Sequence, residues 1–384
     1  MLTSSISFKN FRLKKKNNTK IKKNLKFLFF NKSQIIKSLS NDYKDNFQKK
    51  KINKYKKLKN FRLIGMGGST LGTQAIYSFM KHKIKKNFCF IDNLNPFLKK
   101  EKKKYLNIVV SKSGNTIETI TNLNILLKKT EKNIFITENK KNYLNLLGQK
   151  LKADVIHHNN FIGGRYSVLS EVGMLPSELM GLNPKKFRQL NSLIKNKNFL
   201  DGLIANVSSI LFFLKKKKFN SIILNYDEKS ENLFKWYQQL VAESLGKKKI
   251  GLLPIISSLP KDNHSLMQLY LDGFKNNFFT FFYVNEKNSQ KINNNYLLPS
   301  QKSLLTKDLS AILYAQKKAT ENVFRKKNIP FRSFEIKKRD EKTLGELFCF
   351  FILETILLGK SLKLNPYDQP AVELIKKETK RQLI

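Results

Sequence analysis

The chain has 384 residues and carries 74 lysines and arginines against 28 acidic residues, a formal net charge of +46. Hydrophobic residues make up 41% of it, with 30 Phe and 13 Tyr, which excludes a disordered polar chain. Cys89 and Cys349 each lie between two phenylalanines, so we expect buried free thiols and exclude a disulfide scaffold.

The positive charge does not by itself indicate a nucleic-acid partner. Only eight of the 74 cations are arginine, the residue that reads bases and phosphates with a planar fork. We therefore expect no nucleic acid as the main partner, although a cationic protein attracts anionic small molecules. The most apolar long stretch, 347–358, is too short for a bilayer, which takes about 20 residues. No membrane partner and a cytoplasmic location are expected.

The first 60 residues hold lysine runs and scattered aromatic residues, and we predict a basic N-terminal extension over 1–40. Beyond them, short apolar runs alternate with segments of helical spacing, which is typical of βα units and a parallel sheet. The predicted strands are 61–65, 88–91, 106–110 and 134–136, and the predicted helices are 71–82 and 117–128. This pattern predicts a first α/β domain over 41–185.

A second set of elements repeats the alternation. We predict helices over 200–214, 228–245, 264–271, 304–325 and 341–358, and strands over 221–225, 278–284 and 331–336. The polar stretch 285–300 is predicted as a surface insertion, and the glycine- and proline-marked segment after the second helix as a loop. These elements give a second α/β domain over 200–360, followed by a C-terminal tail over 361–384.

Two loops that leave a predicted strand and enter a predicted helix carry groups suited to anions. In the first, 65–72, glycines let backbone N–H groups approach an anion at a helix N-terminus. The dinucleotide fingerprint needs glycine where Thr70 stands, yet Asp92 occupies the place of a ribose-binding acid, so NAD binding stays open. A tight strand–helix turn is the structural alternative for this loop.

The second loop, 109–116, is better suited to a phosphate monoester. Ser111, Ser113 and Thr116 supply hydroxyl groups. Lys112 adds a charge, and Gly114 permits close backbone approach at a helix N-terminus. The loop lacks the spacing of a nucleotide P-loop. We therefore expect a phosphate group here, with a helix cap as the structural alternative.

Further along the chain, polar residues stand in arrangements suited to acid–base chemistry. Arg165 follows two glycines, which suits an oxyanion clamp. Gln239 and Glu243 lie four residues apart and share a helix face. Gln369 and Lys376 lie seven apart, again on one face. Each of these residues, taken alone, also fits a solvated surface position.

In this order the motifs resemble the phosphoglucose isomerase (glucose-6-phosphate isomerase) family. The matching segments are, along the chain, 65–72, 111–116, 163–167, 243–247, the segment around His264, and 368–376. The resemblance implies two sugar-isomerase (SIS-type) flavodoxin-like α/β domains, each a parallel sheet flanked by helices, and a C-terminal helical tail. It also implies reversible aldose–ketose isomerisation of glucose 6-phosphate and fructose 6-phosphate through a cis-enediol(ate), in glycolysis and gluconeogenesis, without a metal or cofactor.

The resemblance further implies roles for single residues. The 6-phosphate is held by one loop: Ser111, Lys112, Ser113 and Thr116. The sugar is lined and positioned by Gly68, Ser69, Gln239 and Gln369. Among the catalytic residues, Glu243 moves the proton between C2 and C1, and Arg165 stabilises the enediolate. His264 and Lys376 help to open and close the ring, and His264 reaches the site from the neighbouring subunit of a homodimer.

The chain departs from the family pattern at several points. Residues 1–60 match no motif of the family, and Glu171 stands where a small residue is usual. Ala371 and Ile375 stand where longer members tend to have glycine. A non-catalytic sugar-phosphate sensor on the same fold is the alternative function. Such a sensor would keep the phosphate loop and lose the acid–base residues, which are present here.

Overall fold

The computed structural model describes residues 1–13 and 18–384. Up to residue 193 its elements are β1 (Ile6–Lys9), α1 (Thr19–Phe30), α2 (Gln34–Ser38), α3 (Lys49–Asn53), β2 (Asn60–Gly65), α4 (Leu71–Phe79), β3 (Asn87–Ile91), β4 (Leu106–Val110), α5 (Ile117–Leu126), β5 (Lys132–Glu138), α6 (Tyr143–Lys150), β6 (Asp154–His158), α7 (Glu171–Met180), α8 (Pro184–Phe187) and α9 (Leu190–Leu193).

The remaining elements are α10 (Lys197–Lys215), β7 (Asn220–Asn225), α11 (Glu231–Leu245), β8 (Leu253–Ser258), α12 (Met267–Asp272), β9 (Asn277–Val284), α13 (Leu309–Lys326), β10 (Phe331–Ile336), α14 (Glu341–Ser361) and α15 (Pro370–Gln382). Short 3-10 turns lie between them, and those at Gly67–Ser69 and Gly164–Leu169 help to form the site.

The strands form two five-stranded sheets. The first has the order β3-β2-β4-β5-β6 and is parallel throughout. The second has the order β1-β10-β9-β7-β8 and is parallel except for the antiparallel edge strand β1. Every residue of β4 and of β9 is buried, as expected of central strands in sheets covered on both faces. The predicted fold class, two parallel sheets flanked by helices with a helical C-terminal tail, is confirmed.

Within the region 1–40, predicted as an extension, the described residues 1–13 and 18–40 belong to the fold. β1 pairs with β10 and supplies the edge of the second sheet. Next to it, the hydroxyl group of Thr3 donates to the carboxylate of Glu346 in α14 at 2.6 Å. α1 packs against α10 and α14 through the buried residues Ile21, Leu25 and Leu28. These apolar residues have the spacing of an amphipathic helix, but the lysines between them made the pattern hard to recognise in the sequence.

Two further differences from the predicted elements have local causes. β8 was predicted as a loop because it contains Pro254, but β8 is an edge strand, where a missing backbone N–H is tolerated. The helix predicted over 304–325 begins only at Leu309, because the side chain of Asp308 accepts a hydrogen bond from the backbone N–H of Ala311 and caps the helix there.

The core is centred on α14, which is buried along almost its entire length. Its Glu354 accepts a hydrogen bond from the hydroxyl group of Tyr237 at 2.7 Å and contacts Asn206 and Arg332. This buried network ties α10, α11 and β10 to α14, with each charge paired. Among the described helices, α10 alone is long and apolar enough to cross a membrane, and half of that apolar window is buried in the protein.

Candidate active site

The site lies where the turns Gly67–Ser69 and Gly164–Leu169 meet the end of α11 and the segment between α14 and α15. The two turns touch through their glycines. A Cβ atom on Gly68 would lie 2.2 Å from the carbonyl carbon of Gly164, so only glycine fits at this position. The glycines of both motifs therefore allow the two backbones to meet beside the site.

Arg165 is the centre of the site, and its side chain is almost fully buried. Each of its guanidinium nitrogens donates to the protein. The acceptors are Ser244 Oγ at 2.8 Å from Nε, Glu243 Oε2 at 3.0 Å and Gln369 Oε1 at 2.7 Å from Nη1, and the carbonyl oxygens of Pro366 at 2.8 Å and Asp368 at 3.0 Å from Nη2. Three of the predicted site residues, Arg165, Glu243 and Gln369, are thus in direct contact.

Glu243 and Gln239 lie one turn apart on α11. The amide nitrogen of Gln239 donates to Glu243 Oε1 at 2.9 Å, so both carboxylate oxygens have a donor. The Glu243 side chain still has 31% of its surface exposed, and it lines a cavity of about 820 Å³ beside the tail. The amide oxygen of Gln239 is buried without a partner among the described residues, which leaves an acceptor for a ligand hydroxyl.

The loop between β4 and α5 holds the predicted phosphate-binding residues. Ser111 and Thr116 place their hydroxyl oxygens 2.8 Å apart, and the backbone N–H of Gly114 donates to Ser111 Oγ at 3.2 Å. Gly114 has φ of +69°, a conformation that glycine adopts without strain. Thr116 precedes the first turn of α5 and makes no side-chain cap, so the helix N-terminus keeps free N–H donors.

The same loop contacts the segment that carries Arg165. The ammonium group of Lys112 donates to the carbonyl oxygen of Asn160 at 2.8 Å and lies 3.5 Å from Glu138. Ser113 is exposed and accepts from the backbone N–H of Asn115 at 3.3 Å. The loop therefore combines hydroxyl groups, one cation and a helix N-terminus in one place, which suits a phosphate dianion.

Glu171, which departs from the family pattern, fixes the segment that leads to Arg165. It is fully buried, and burial raises the pKa of its carboxyl group. The backbone N–H of Asn159 donates to Glu171 Oε1 at 2.5 Å, and the hydroxyl group of Tyr43 donates to Oε2 at 3.0 Å. A side chain of the N-terminal region, which matched no family motif, thus helps to hold this loop.

The structure does not bring His264 and Lys376 to the other candidates. His264 ends the exposed 3-10 turn Lys261–His264. Lys376 lies on α15 and pairs with Glu373 at 2.6 Å, and α15 has no buried residue. Within residues 1–13 and 18–384, no hydrogen bond or ion pair joins either residue to Arg165 or Glu243.

Several residues at the site had no predicted role. Ser244 and Tyr166 follow Glu243 and Arg165 in the sequence, and that adjacency was the only available signal. Lys247 pairs with Asp368 at 3.0 Å, and this hydrogen bond lowers the pKa of the Asp368 carboxyl group. The carbonyl oxygens of Pro366 and Asp368 belong to the backbone, so no side-chain pattern could indicate their contact with Arg165.

Asp92, the residue that kept NAD binding open, is already engaged. Its carboxylate accepts a hydrogen bond from the amide group of Gln74 at 2.7 Å. The ribose of a dinucleotide would have to displace this bond.

The site joins a buried arginine to a partly exposed carboxylate, near a loop suited to phosphate, on a fold of two largely parallel sheets flanked by helices. These are features of the class of two-domain phosphosugar isomerases. Solved structures share this fold. A hypothetical protein from Thermus thermophilus has a TM-score of 0.81 at 23% identity over 95% of this chain and 94% of its own. A glucose-6-phosphate isomerase from Chlamydia trachomatis has a TM-score of 0.69 at 20% identity over 87% of this chain and 71% of its own.

The sequence comparisons narrow the class. The family model described as phosphoglucose isomerase matches residues 30–252. A glucose-6-phosphate isomerase from Methanocaldococcus jannaschii is 32% identical over 90% of this chain and 91% of its own length. A glucose-6-phosphate isomerase from Campylobacter jejuni is 30% identical over 83% of both. The chain belongs to the phosphoglucose isomerase family.

Proposed function

We propose that the chain interconverts glucose 6-phosphate and fructose 6-phosphate. The contact between Arg165 and Glu243 carries the proposal, because it places one fixed cation beside one carboxylate that opens into a cavity. Aldose–ketose isomerisation needs these two groups: a base that takes a proton next to a carbonyl, and a positive charge for the oxyanion that results. The relatives named glucose-6-phosphate isomerase support this choice of sugar.

In this mechanism Glu243 takes the proton from C2 of the open-chain aldose. The electron pair forms the C1–C2 double bond of a cis-enediolate, and negative charge collects on O1. The proton on O2 moves to O1, and Glu243 returns its proton to C1, so that C2 becomes the ketone and C1 a primary alcohol. Because the nitrogens of Arg165 already donate to protein acceptors, Arg165 acts on the enediolate chiefly as a fixed charge.

The remaining roles concern binding. The 6-phosphate is bound by Ser111, Lys112, Ser113 and Thr116. The amide oxygen of Gln239 accepts a hydrogen bond from a sugar hydroxyl group. Gln369 holds the substrate against Arg165. Gly68 and Ser69 line the sugar. Since the phosphate lies far from C1 and C2, its binding energy serves to position the reacting carbons.

Ring opening is assigned to His264 and Lys376, with His264 contributed by the neighbouring subunit of a homodimer. The exposure of both side chains in the single chain supports this assignment, because neither has a competing buried role. We place the enzyme in the cytoplasm. We divide the chain into sugar-isomerase domains over 41–185 and 200–360, with β1 completing the second sheet and the tail 361–384 closing the site.

The test is a coupled assay with fructose 6-phosphate, in which a dehydrogenase reports the glucose 6-phosphate formed. The Glu243→Gln variant should lose at least about 100-fold in kcat, since general base catalysis contributes 10²- to 10⁴-fold. Glu231→Gln is the matched control, because Glu231 lies on the same helix and forms an ion pair with exposed Lys235. Near-normal turnover in Glu243→Gln would end the assignment of the base, and an inactive, folded wild type would end the proposed reaction.

A further inference from the structure

Two buried hydroxyl groups connect Arg165 to the tail. Ser244 Oγ lies 2.8 Å from Arg165 Nε and 2.8 Å from the hydroxyl oxygen of Tyr166. The Tyr166 hydroxyl group also lies 2.9 Å from the carbonyl oxygen of Pro366. Ser244 and Tyr166 are both 0% exposed, so water does not compete for these bonds.

The number of hydrogens fixes the direction of each bond. The carbonyl oxygen of Pro366 can only accept, so Tyr166 must donate its single hydrogen there. Tyr166 therefore accepts from Ser244, and Ser244 accepts from Arg165 Nε. Burial raises the pKa of Tyr166, which keeps that hydrogen on the phenol at neutral pH.

These bonds close into a ring. Arg165 Nη2 donates to the same carbonyl oxygen of Pro366 at 2.8 Å, so two nitrogens of one planar guanidinium are held at both ends of the chain Ser244–Tyr166–Pro366. A planar group fixed at two of its nitrogens cannot rotate. Its third nitrogen, Nη1, is thereby aimed at Glu243 and Gln369.

We propose that Ser244 and Tyr166 are positioning residues for the isomerisation: they hold the guanidinium plane of Arg165 so that its charge faces Glu243, and they tie the tail to the site. The inference rests on the proposed function. Neither hydroxyl group touches Glu243, and both act through Arg165. The expected loss therefore falls on the chemical step, because the phosphate loop that binds the substrate is a separate segment.

The experiment compares Tyr166→Phe and Ser244→Ala with the wild type in the coupled assay. Each single variant should lower kcat by about 10-fold and change the KM for fructose 6-phosphate by less than 2-fold. Because both hydroxyl groups belong to one ring of bonds, the double variant should lose little more than Ser244→Ala alone. Independent losses that multiply would contradict a shared ring.

Tyr283→Phe is the matched control. Tyr283 is also a buried tyrosine, and its hydroxyl group lies 2.7 Å from the hydroxyl oxygen of a buried serine, Ser310, but outside the site. It should lose stability as Tyr166→Phe does and keep its kcat. The proposal would be overturned if Tyr166→Phe and Ser244→Ala had the same kcat as Tyr283→Phe, or if they changed only the KM.

Two other experimental outcomes also have a clear interpretation. If Ser244→Ala does not fold, Tyr166→Phe decides the question, because it removes one oxygen atom and keeps the aromatic side chain in the core. If the folded wild type shows no turnover, the proposed reaction fails and the positioning proposal, which depends on it, falls with it. A normal wild type with unaffected variants rejects the positioning role alone.

Discussion

The indole N–H of Trp236 donates to the backbone carbonyl oxygen of Arg165 at 3.1 Å, in a fully buried contact. Trp236, the only tryptophan of the chain, also packs edge-to-face against Phe348 of α14, with ring centroids 4.8 Å apart. One side chain of α11 therefore holds the backbone of Arg165 while its neighbours on the same helix hold the guanidinium group. The core helix α14 supports the site through this ring.

Replacing Trp236 by Phe should lower the free energy of unfolding by about 2 kcal/mol or more. The substitution leaves the buried carbonyl oxygen of Arg165 without its donor and opens a small cavity against Phe348. Urea denaturation followed by circular dichroism measures the change, because the variant has no tryptophan to report. An unchanged unfolding midpoint would show that the indole hydrogen bond contributes nothing.

Replacing Arg165 by Lys keeps the charge and removes the fork. An ammonium group cannot serve Ser244, Glu243 and the tail carbonyls together, so the charge loses its fixed position. We expect kcat to fall by about 100-fold, with a smaller change in KM. Steady-state kinetics measures both constants. The exposed Arg381, which pairs with Glu378, provides the control Arg381→Lys, and a change in KM alone would contradict the role of Arg165.

Substitutions at two glycines with positive φ distinguish the cost of backbone strain from the cost of a steric clash. A Cβ atom on Gly114 would lie 2.1 Å from Asn142 Oδ1, whereas nothing lies within 4 Å of one on Gly181, which has φ of +89°. Gly181→Ala should cost about 1 kcal/mol of stability from strain alone. Gly114→Ala should cost more and also raise the KM, because the loop proposed to bind the phosphate must shift. Equal unfolding midpoints and KM values in the two variants would contradict this distinction.

His158 makes stability depend on pH below neutrality. Burial lowers the pKa of its ring from 6.5 to about 4, and its Nδ1 lies 2.9 Å from the carbonyl oxygen of Asn159. The unfolded chain binds a proton near pH 6.5 and the folded chain does not, so the free energy of unfolding falls as the pH falls from 6.5 to 4. At pH 5 this contribution amounts to about 2 kcal/mol.

Urea titrations at pH 7, 6 and 5 test this dependence. The His158→Gln variant should lose less stability on acidification than the wild type, and exposed His157→Gln should behave as the wild type does. Glu171, 3.7 Å from His158, has a raised pKa and acts in the opposite direction, so the comparison between the two variants carries the result. Parallel pH profiles for both variants would reject the assignment to His158.

The sequence predicted the buried strands well, and the reason is physical. β4 is fully buried and β10 is largely buried, so the apolar run of each strand has clear ends. The predicted strands 106–110 and 331–336 therefore match the structure. The edge strands β1 and β8 were missed, since an edge tolerates lysine and proline that an inner strand excludes.

The sequence suggested single candidate residues but not their arrangement. The motif order proposed Arg165, Glu243 and Gln369, and the structure joins them across 78 and 204 positions of the chain. The carbonyl oxygens of Pro366 and Asp368 belong to the backbone, which any sequence supplies, so no pattern could mark them as partners of Arg165. Only the fold of the tail places them there.

The pairing of β1 with β10 has a consequence for how the protein is made. Ile6 is synthesised before the other described strands, but its partner Ile336 is synthesised after all of them. During translation β1 must therefore wait, unpaired, while the first sheet is able to form. We expect the second sheet to close last, in a single late step that joins the first and the last of the described strands.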